Sequence, residues 1–129
     1  MPATAEALGF ENPDDPEAGI HAGVKYLNRL RNRFDKHIPM DQRTWLALAA
    51  YNIGYDRVRR ARNRARSSGL DPDKWFGNVE IAMRRMTRTY WESRAGCRCG
   101  QAIVYVDSIR SLYYVYRDLE LAAKTPQQI

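Results

Sequence analysis

From Pro16 onward the apolar positions Ile20, Gly23, Val24, Leu27, Leu30 and Phe34 recur at steps of three and four, the period of one face of an α-helix. Asp15-Pro16 opens that helix with a capping carboxylate followed by proline at the first helical position. Gly19 and Gly23 stand one turn apart in it. Together they cost about 2 kcal/mol relative to alanine, and a close helix crossing is the expected compensation. The next segment reads differently. Gln42 to Asn52, with Asp41 as its expected cap, is apolar nearly all round through Trp45-Leu-Ala-Leu-Ala-Ala50, which predicts a helix at the centre of the domain. It ends on Tyr51-Asn52 just ahead of Gly54, a glycine able to take the left-handed cap conformation. Such a terminus presents an aromatic ring and an amide at a fixed rim, as a cleft wall requires.

Downstream, an arginine-rich helix is expected to run to Ser68 and stop at Gly69. Asp71-Pro72-Asp73 then makes a turn before Trp75-Phe76, and Asn78 is read as the cap of a helix through Arg88. Thr89 to Gly100 reads as a loop. Gln101 to Ala123 is the last long helix, with Val106, Ile109, Tyr113 and Tyr116 along one side. At the front, Pro2 to Leu8 reads as a short helix ended by Gly9, and Lys124 to Ile129 as a frayed tail. No strand pattern exceeds a few residues. The fold class is therefore all-α, with about six helices in one domain and no internal repeat.

Composition fits this reading. The 129 residues are 44% apolar and 28% charged, enough for one core and too apolar for wholesale disorder. No apolar run reaches the ~20 residues needed to span a bilayer, and no basic segment followed by a long apolar one opens the chain. A net charge of +6 implies attraction to polyanions. Much of it lies in Arg57, Arg59, Arg60, Arg62, Arg64 and Arg66, which at these spacings spread around a helix instead of forming a stripe. That distribution reads first as a solvated outer helix whose long stems cover apolar surface, next as attraction to an anionic cell wall, and third as a nucleic-acid face. Cys97 and Cys99 are separated by one residue, so a bond between them would close a very tight ring, and both are read as loop thiols. His21 and His37 stand far from them in sequence, without metal-ligand spacing. No metal or cofactor is expected.

An ordered set of motifs adds a specific resemblance. Met1-Pro-Ala-Thr-Ala5, Ala22-Gly23 with Tyr26-Leu27, Ala50-Tyr51-Asn52 and Tyr105-Val106 resemble, in order and spacing, the lytic transglycosylase domain of the goose-type lysozyme superfamily. The resemblance covers about nine tenths of the chain. Gly54-Tyr55, Ala61-Arg62, Pro72 with Trp75, and Tyr90 followed by Gly100 are similar to the membrane-bound F-type branch. It implies a lysozyme-like helical domain of the cell envelope or periplasm that acts on peptidoglycan. In that family a glutamate in a Glu-Ser pair lies ahead of a Gly-Leu-Met-Gln turn, which runs into a Met-Pro-x-Thr-Ala helix. The chain begins at Met1-Pro-Ala-Thr-Ala5. The catalytic glutamate and the first helix are therefore expected upstream, residues 1–129 being the C-terminal portion of a single SLT-type domain.

The chemistry implied is a one-carboxylate variant of glycoside cleavage. The glutamate protonates the oxygen between N-acetylmuramic acid and N-acetylglucosamine, then helps the muramyl 6-hydroxyl close a 1,6-anhydro ring. By the same resemblance, Tyr51 and Asn52 line the sugar subsites, Tyr105 points its hydroxyl at the catalytic centre, and Met1 packs beneath the cleft. No catalytic residue is assigned within the chain: Glu6, Glu11, Glu17, Glu80 and Glu92 all lie outside the family's pattern. The chain alone is accordingly expected to be inactive. It is also expected to expose an apolar groove that a second copy or a complementing N-terminal segment would cover. Two alternatives remain open at this stage, a non-catalytic peptidoglycan-binding or regulatory module and a basic helical nucleic-acid binder.

Overall fold

A computed structural model describes residues 15–124, and Met1 and the expected helix Pro2 to Leu8 lie outside them. The described residues form α1 (Pro16–Arg33), α2 (Met40–Ile53), α3 (Tyr55–Ser67), a π-type turn at Trp75–Val79, α4 (Glu80–Ser93) and α5 (Gly100–Lys124). Among them no strand occurs. The all-α reading holds.

The apolar-all-round segment does occupy the centre. Leu46, Ala47, Leu48, Ala49 and Ala50 are all buried, and α2 packs against α1, α3 and α5. Alanines on successive faces let three helices approach one axis, and Leu46, Phe34, Ile38, Val58, Trp75, Met83 and Val106 fill the layers between them. On α1 the periodic face divides by depth. Leu30 and Phe34 are in the core, whereas Ile20 and Val24, nearer the start of the helix, are more than half exposed. Helical periodicity identifies a face and says nothing about how far a neighbour covers it.

Several local expectations are corrected. The first α2 residue is Met40, with Pro39 in the capping position. Pro39 brings its fixed φ to the entry, its carbonyl receives the Arg43 amide at 2.9 Å, and Asp41 is left inside the first turn. Asn78 does not cap α4. Its Oδ1 accepts the Asp71 amide at 2.9 Å, and its Nδ2 donates to the Phe76 carbonyl at 3.2 Å, so it ties the Asp71–Asp73 turn to the π-type turn. Nor does a loop begin at Thr89. α4 continues to Ser93, and within it the Thr89 and Ser93 hydroxyls each donate to a carbonyl four residues back, at 3.0 Å, instead of competing for a turn. Arg94 then stops it, with φ of 63° and its amide on the Tyr90 carbonyl at 2.7 Å.

Cys97 and Cys99 are joined as a disulfide and both are buried. Their Cα atoms lie 5.3 Å apart, within the ordinary range for a bridge. The expectation of loop thiols is therefore corrected, because the Cys-Arg-Cys segment brings the two Cα atoms close enough for the sulfurs to meet.

The arginine-rich helix α3 turns Val58, Ala61 and Ala65 to the core and leaves most of its arginines in solvent. Arg62 is the exception. Its Nε donates to the Pro72 carbonyl at 2.8 Å, and its Nη2 reaches Asp73 Oδ1 at 2.9 Å. His37, in the α1–α2 connection, holds the other Asp73 oxygen at 2.9 Å and has Asp35 3.8 Å from its Nδ1. Burial alone pushes the Asp73 carboxyl up. The hydrogen bonds and charges of His37 and Arg62 together outweigh burial and hold it below the usual carboxylate range.

Candidate functional site

The end of α2 delivers Tyr51 to the surface. Gly54 follows with φ of 97° and ψ of 149°, a positive-φ but extended conformation rather than a left-handed cap, and its amide still closes on the Ala50 carbonyl at 2.8 Å. A residue with a Cβ is strained at that φ, so glycine is what lets α2 stop and α3 start one residue later. The joint fixes the direction of the Tyr51 ring.

Tyr51 reaches across to α1. A Cβ placed on Gly23 would stand 3.2 Å from the Tyr51 hydroxyl, and the Tyr26 ring lies 5.6 Å from the Tyr51 ring at a 48° tilt. The close helix crossing expected at the α1 glycines is not what occupies the space: the neighbour at Gly23 is a tyrosine hydroxyl, and no backbone of another helix lies within 4 Å of a Cβ placed there. Gly19 has open space above it.

Tyr105 comes to the same place from α5. It and Tyr51 line a groove of about 450 Å³ whose other wall is Pro16, Gly19, Ile20, Gly23, Val24 and Leu27. Burial, and then the proximity of Tyr51, raise the Tyr105 phenol above its ordinary 10.0. Its hydroxyl therefore stays protonated at neutral pH and can donate a hydrogen bond. Two phenol groups set over an apolar floor make a surface suited to a sugar ring, with one apolar face and a hydroxyl rim. Among the described residues, none that lines the groove is a carboxylate.

Asn52 is exposed and is not part of that lining. It occupies the rim next to Tyr51, and its side-chain amide makes no hydrogen bond with another described residue. Met1 lies outside the described residues. The groove contribution of Ile20, Val24 and Leu27 is the feature that the α1 pattern concealed, because an apolar position reads alike whether it faces a core or an open cleft. No group of His, Cys, Asp or Glu among the described residues could hold a metal ion.

Comparison with known proteins identifies the family. Residues 1–73 match the family model for the transglycosylase SLT domain. Over 112 residues the chain is 43% identical to the membrane-bound lytic murein transglycosylase F of Shewanella loihica, covering 85% of the chain and 24% of that protein. The protein of the same name from Pseudoalteromonas translucida is 41% identical over 112 residues, 85% of the chain and 24% of its own length. That of Shewanella baltica is 39% identical over 129 residues, 97% of the chain and 27% of its own. The chain spans about a quarter of the length of these relatives.

Proposed function

This chain belongs to the transglycosylase SLT domain family, and from that premise we propose that its Tyr51–Tyr105 groove holds murein glycan strands for lytic cleavage. The reaction proposed for the intact protein breaks the bond between N-acetylmuramic acid and N-acetylglucosamine and leaves a 1,6-anhydro end. The observation that carries the reading is the convergence of Tyr51 and Tyr105 on one groove from two separate helices. They meet over a glycine that makes room for one of their hydroxyls.

Each residue has a part in the proposal. Tyr105, held protonated, donates to the oxygens of the sugar at the cleavage point. Tyr51 offers its ring edge and hydroxyl to the neighbouring ring, and Asn52 at the rim bonds an N-acetyl group. Because the groove lining carries no described carboxylate, the proton donor is proposed to be a glutamate in the part of the intact protein that the chain, spanning about a quarter of its relatives' length, does not include. The groove would desolvate that carboxyl and keep it protonated near neutral pH. The 129-residue chain is then a binding surface that does not cut. The relatives' printed name places them at a membrane, and the cell envelope is proposed as the site of action here. No helix among the described residues is long and apolar enough to cross a membrane.

The test of the reading is titration with a neutral N-acetylglucosamine tetramer followed at the Gly19 and Gly23 amides. Saturable shifts at both, lost in Tyr51→Ala, support it. An unperturbed groove at millimolar ligand removes it.

A further inference from the structure

A second cavity, of about 420 Å³, opens between the start of α3, the end of α4 and the first turn of α5, lined by Arg57, Thr87, Trp91, Arg98, Gly100 and Gln101. Its charge is uncompensated. Two arginines face it, its lining contains no carboxylate, and neither guanidinium forms an ion pair among the described residues. Asp56, next to Arg57 in the chain, is taken by Arg59 at 3.5 Å. Isolated arginines in solvent are ordinary, but two that line one concave site set up a field that favours an anion.

The remaining walls narrow the ligand. The Thr87 hydroxyl is spent on the Met83 carbonyl at 3.0 Å, and a Cβ at Gly100 would touch the Thr87 methyl at 3.4 Å. Side-chain donors left for a ligand are the two guanidiniums, the Gln101 amide and the Trp91 indole N–H, and the guanidinium forks match the planar, two-oxygen geometry of a carboxylate. The N-terminus of the long helix α5 adds positive potential. Trp91 is 59% exposed at the edge, with the Arg98 guanidinium 5.4 Å from its ring centre, and offers an apolar platform beside the charges.

The position is the second observation. On α5, Gln101 precedes Tyr105 by one turn and shares its face. Along the other wall, Arg57 opens α3 just past the Gly54 joint that follows Tyr51. Moving from Tyr105 to Gln101, and from Tyr51 to Arg57, leads from the groove to the cationic cavity along the same two chain segments.

We propose that this cavity is a carboxylate-recognising extension of the groove, in which Arg57 and Arg98 clamp an acidic substituent of a bound glycan while Trp91 packs on its apolar part. The proposal rests on the murein reading of the groove, and the experiment separates the two. The probes are a muramyl dipeptide with a free carboxylate, the same compound amidated, and the neutral N-acetylglucosamine tetramer, each titrated into the 129-residue chain by NMR. The Trp91 indole N–H, assigned with Trp91→Phe, should shift saturably with the acid and bind the amide about tenfold more weakly. The double variant Arg57→Gln and Arg98→Gln, both at exposed positions, should remove that preference while leaving the response of the Gly23 amide to the tetramer unchanged. Equal binding of acid and amide, or a preference that survives the double variant, overturns the proposal. A groove that answers the tetramer while Trp91 ignores the acid also overturns it and leaves the murein reading standing. A Trp91 response with a silent groove supports the carboxylate site and defeats the murein reading.

Discussion

The Tyr51 hydroxyl stands 3.2 Å from the point where a Cβ on Gly23 would lie, so the groove's aromatic wall is seated on the backbone of α1. An added methyl forces Tyr51 to move by a few tenths of an ångström, whereas the same methyl on Gly19 meets no atom within 4 Å. Gly19→Ala is expected to stabilise the fold by about 0.5–1 kcal/mol through helix propensity, raising Tm. Gly23→Ala should gain less in a thermal melt, because the displaced ring offsets the propensity term, and should weaken glycan binding. Equal stabilisation by the two substitutions, with binding unchanged in both, would show that the contact does not matter.

Tyr105 titrates late. Its folded pKa lies above the ordinary 10.0, so the folded state holds the phenol proton more tightly than the unfolded state does. The associated stability is intact below pH 10 and is lost as pH rises through the raised folded value. Absorbance at the phenolate band should include a final step above pH 10. Tyr105→Phe should delete that last step. Retention of the step in the variant assigns it elsewhere.

Asp73 works in the opposite direction. Its carboxyl is held below 3.8 by His37 and Arg62 against the effect of burial. The stability it contributes is present above 3.8 and is lost as pH falls through its lower folded pKa. Asp73→Asn should therefore flatten the acid limb of a stability-against-pH curve below about pH 4. An acid limb identical to that of the unaltered chain would place the sensitivity at other carboxylates.

Arg62 should be the costly arginine of α3. Only 14% of its side chain is exposed, and its loss takes the partner from Asp73 Oδ1 and from the Pro72 carbonyl, leaving the Asp73 carboxylate to His37 alone. Arg62→Ala is expected to cost about 1–3 kcal/mol, while Arg59→Ala, on an exposed pair, stays within about 0.5 kcal/mol. Denaturant midpoints of the two variants decide it, and similar values would contradict the structure.

Much of the architecture was legible because it depends on period. The unbroken run Trp45 to Ala50 marked the central helix, and the Asp15-Pro16 pair marked the start of α1, where the Glu17 amide bonds Asp15 at 3.0 Å. The motif tyrosines were found from their order along the chain, and their meeting in one groove is a tertiary fact that no local pattern contains. What escaped was decided at a distance. Asn78 satisfies the turn around Asp71 instead of capping its own helix, and Thr89 and Ser93 feed their hydroxyls into α4. Cys97 and Cys99 find bridging geometry despite their spacing. Ile20 and Val24 were read correctly as helical, but only the neighbouring elements determine that they floor a groove.

The central claim is that Tyr51 and Tyr105 hold a murein strand and that the proton donor is not among the groove's described residues. The most direct measurement incubates the 129-residue chain with purified peptidoglycan, recording both retention on the polymer and release of anhydromuropeptides. The account predicts retention that Tyr51→Ala with Tyr105→Ala abolishes, and no anhydromuropeptide. Release of that product, lost on mutating one of the chain's own glutamates, would contradict it.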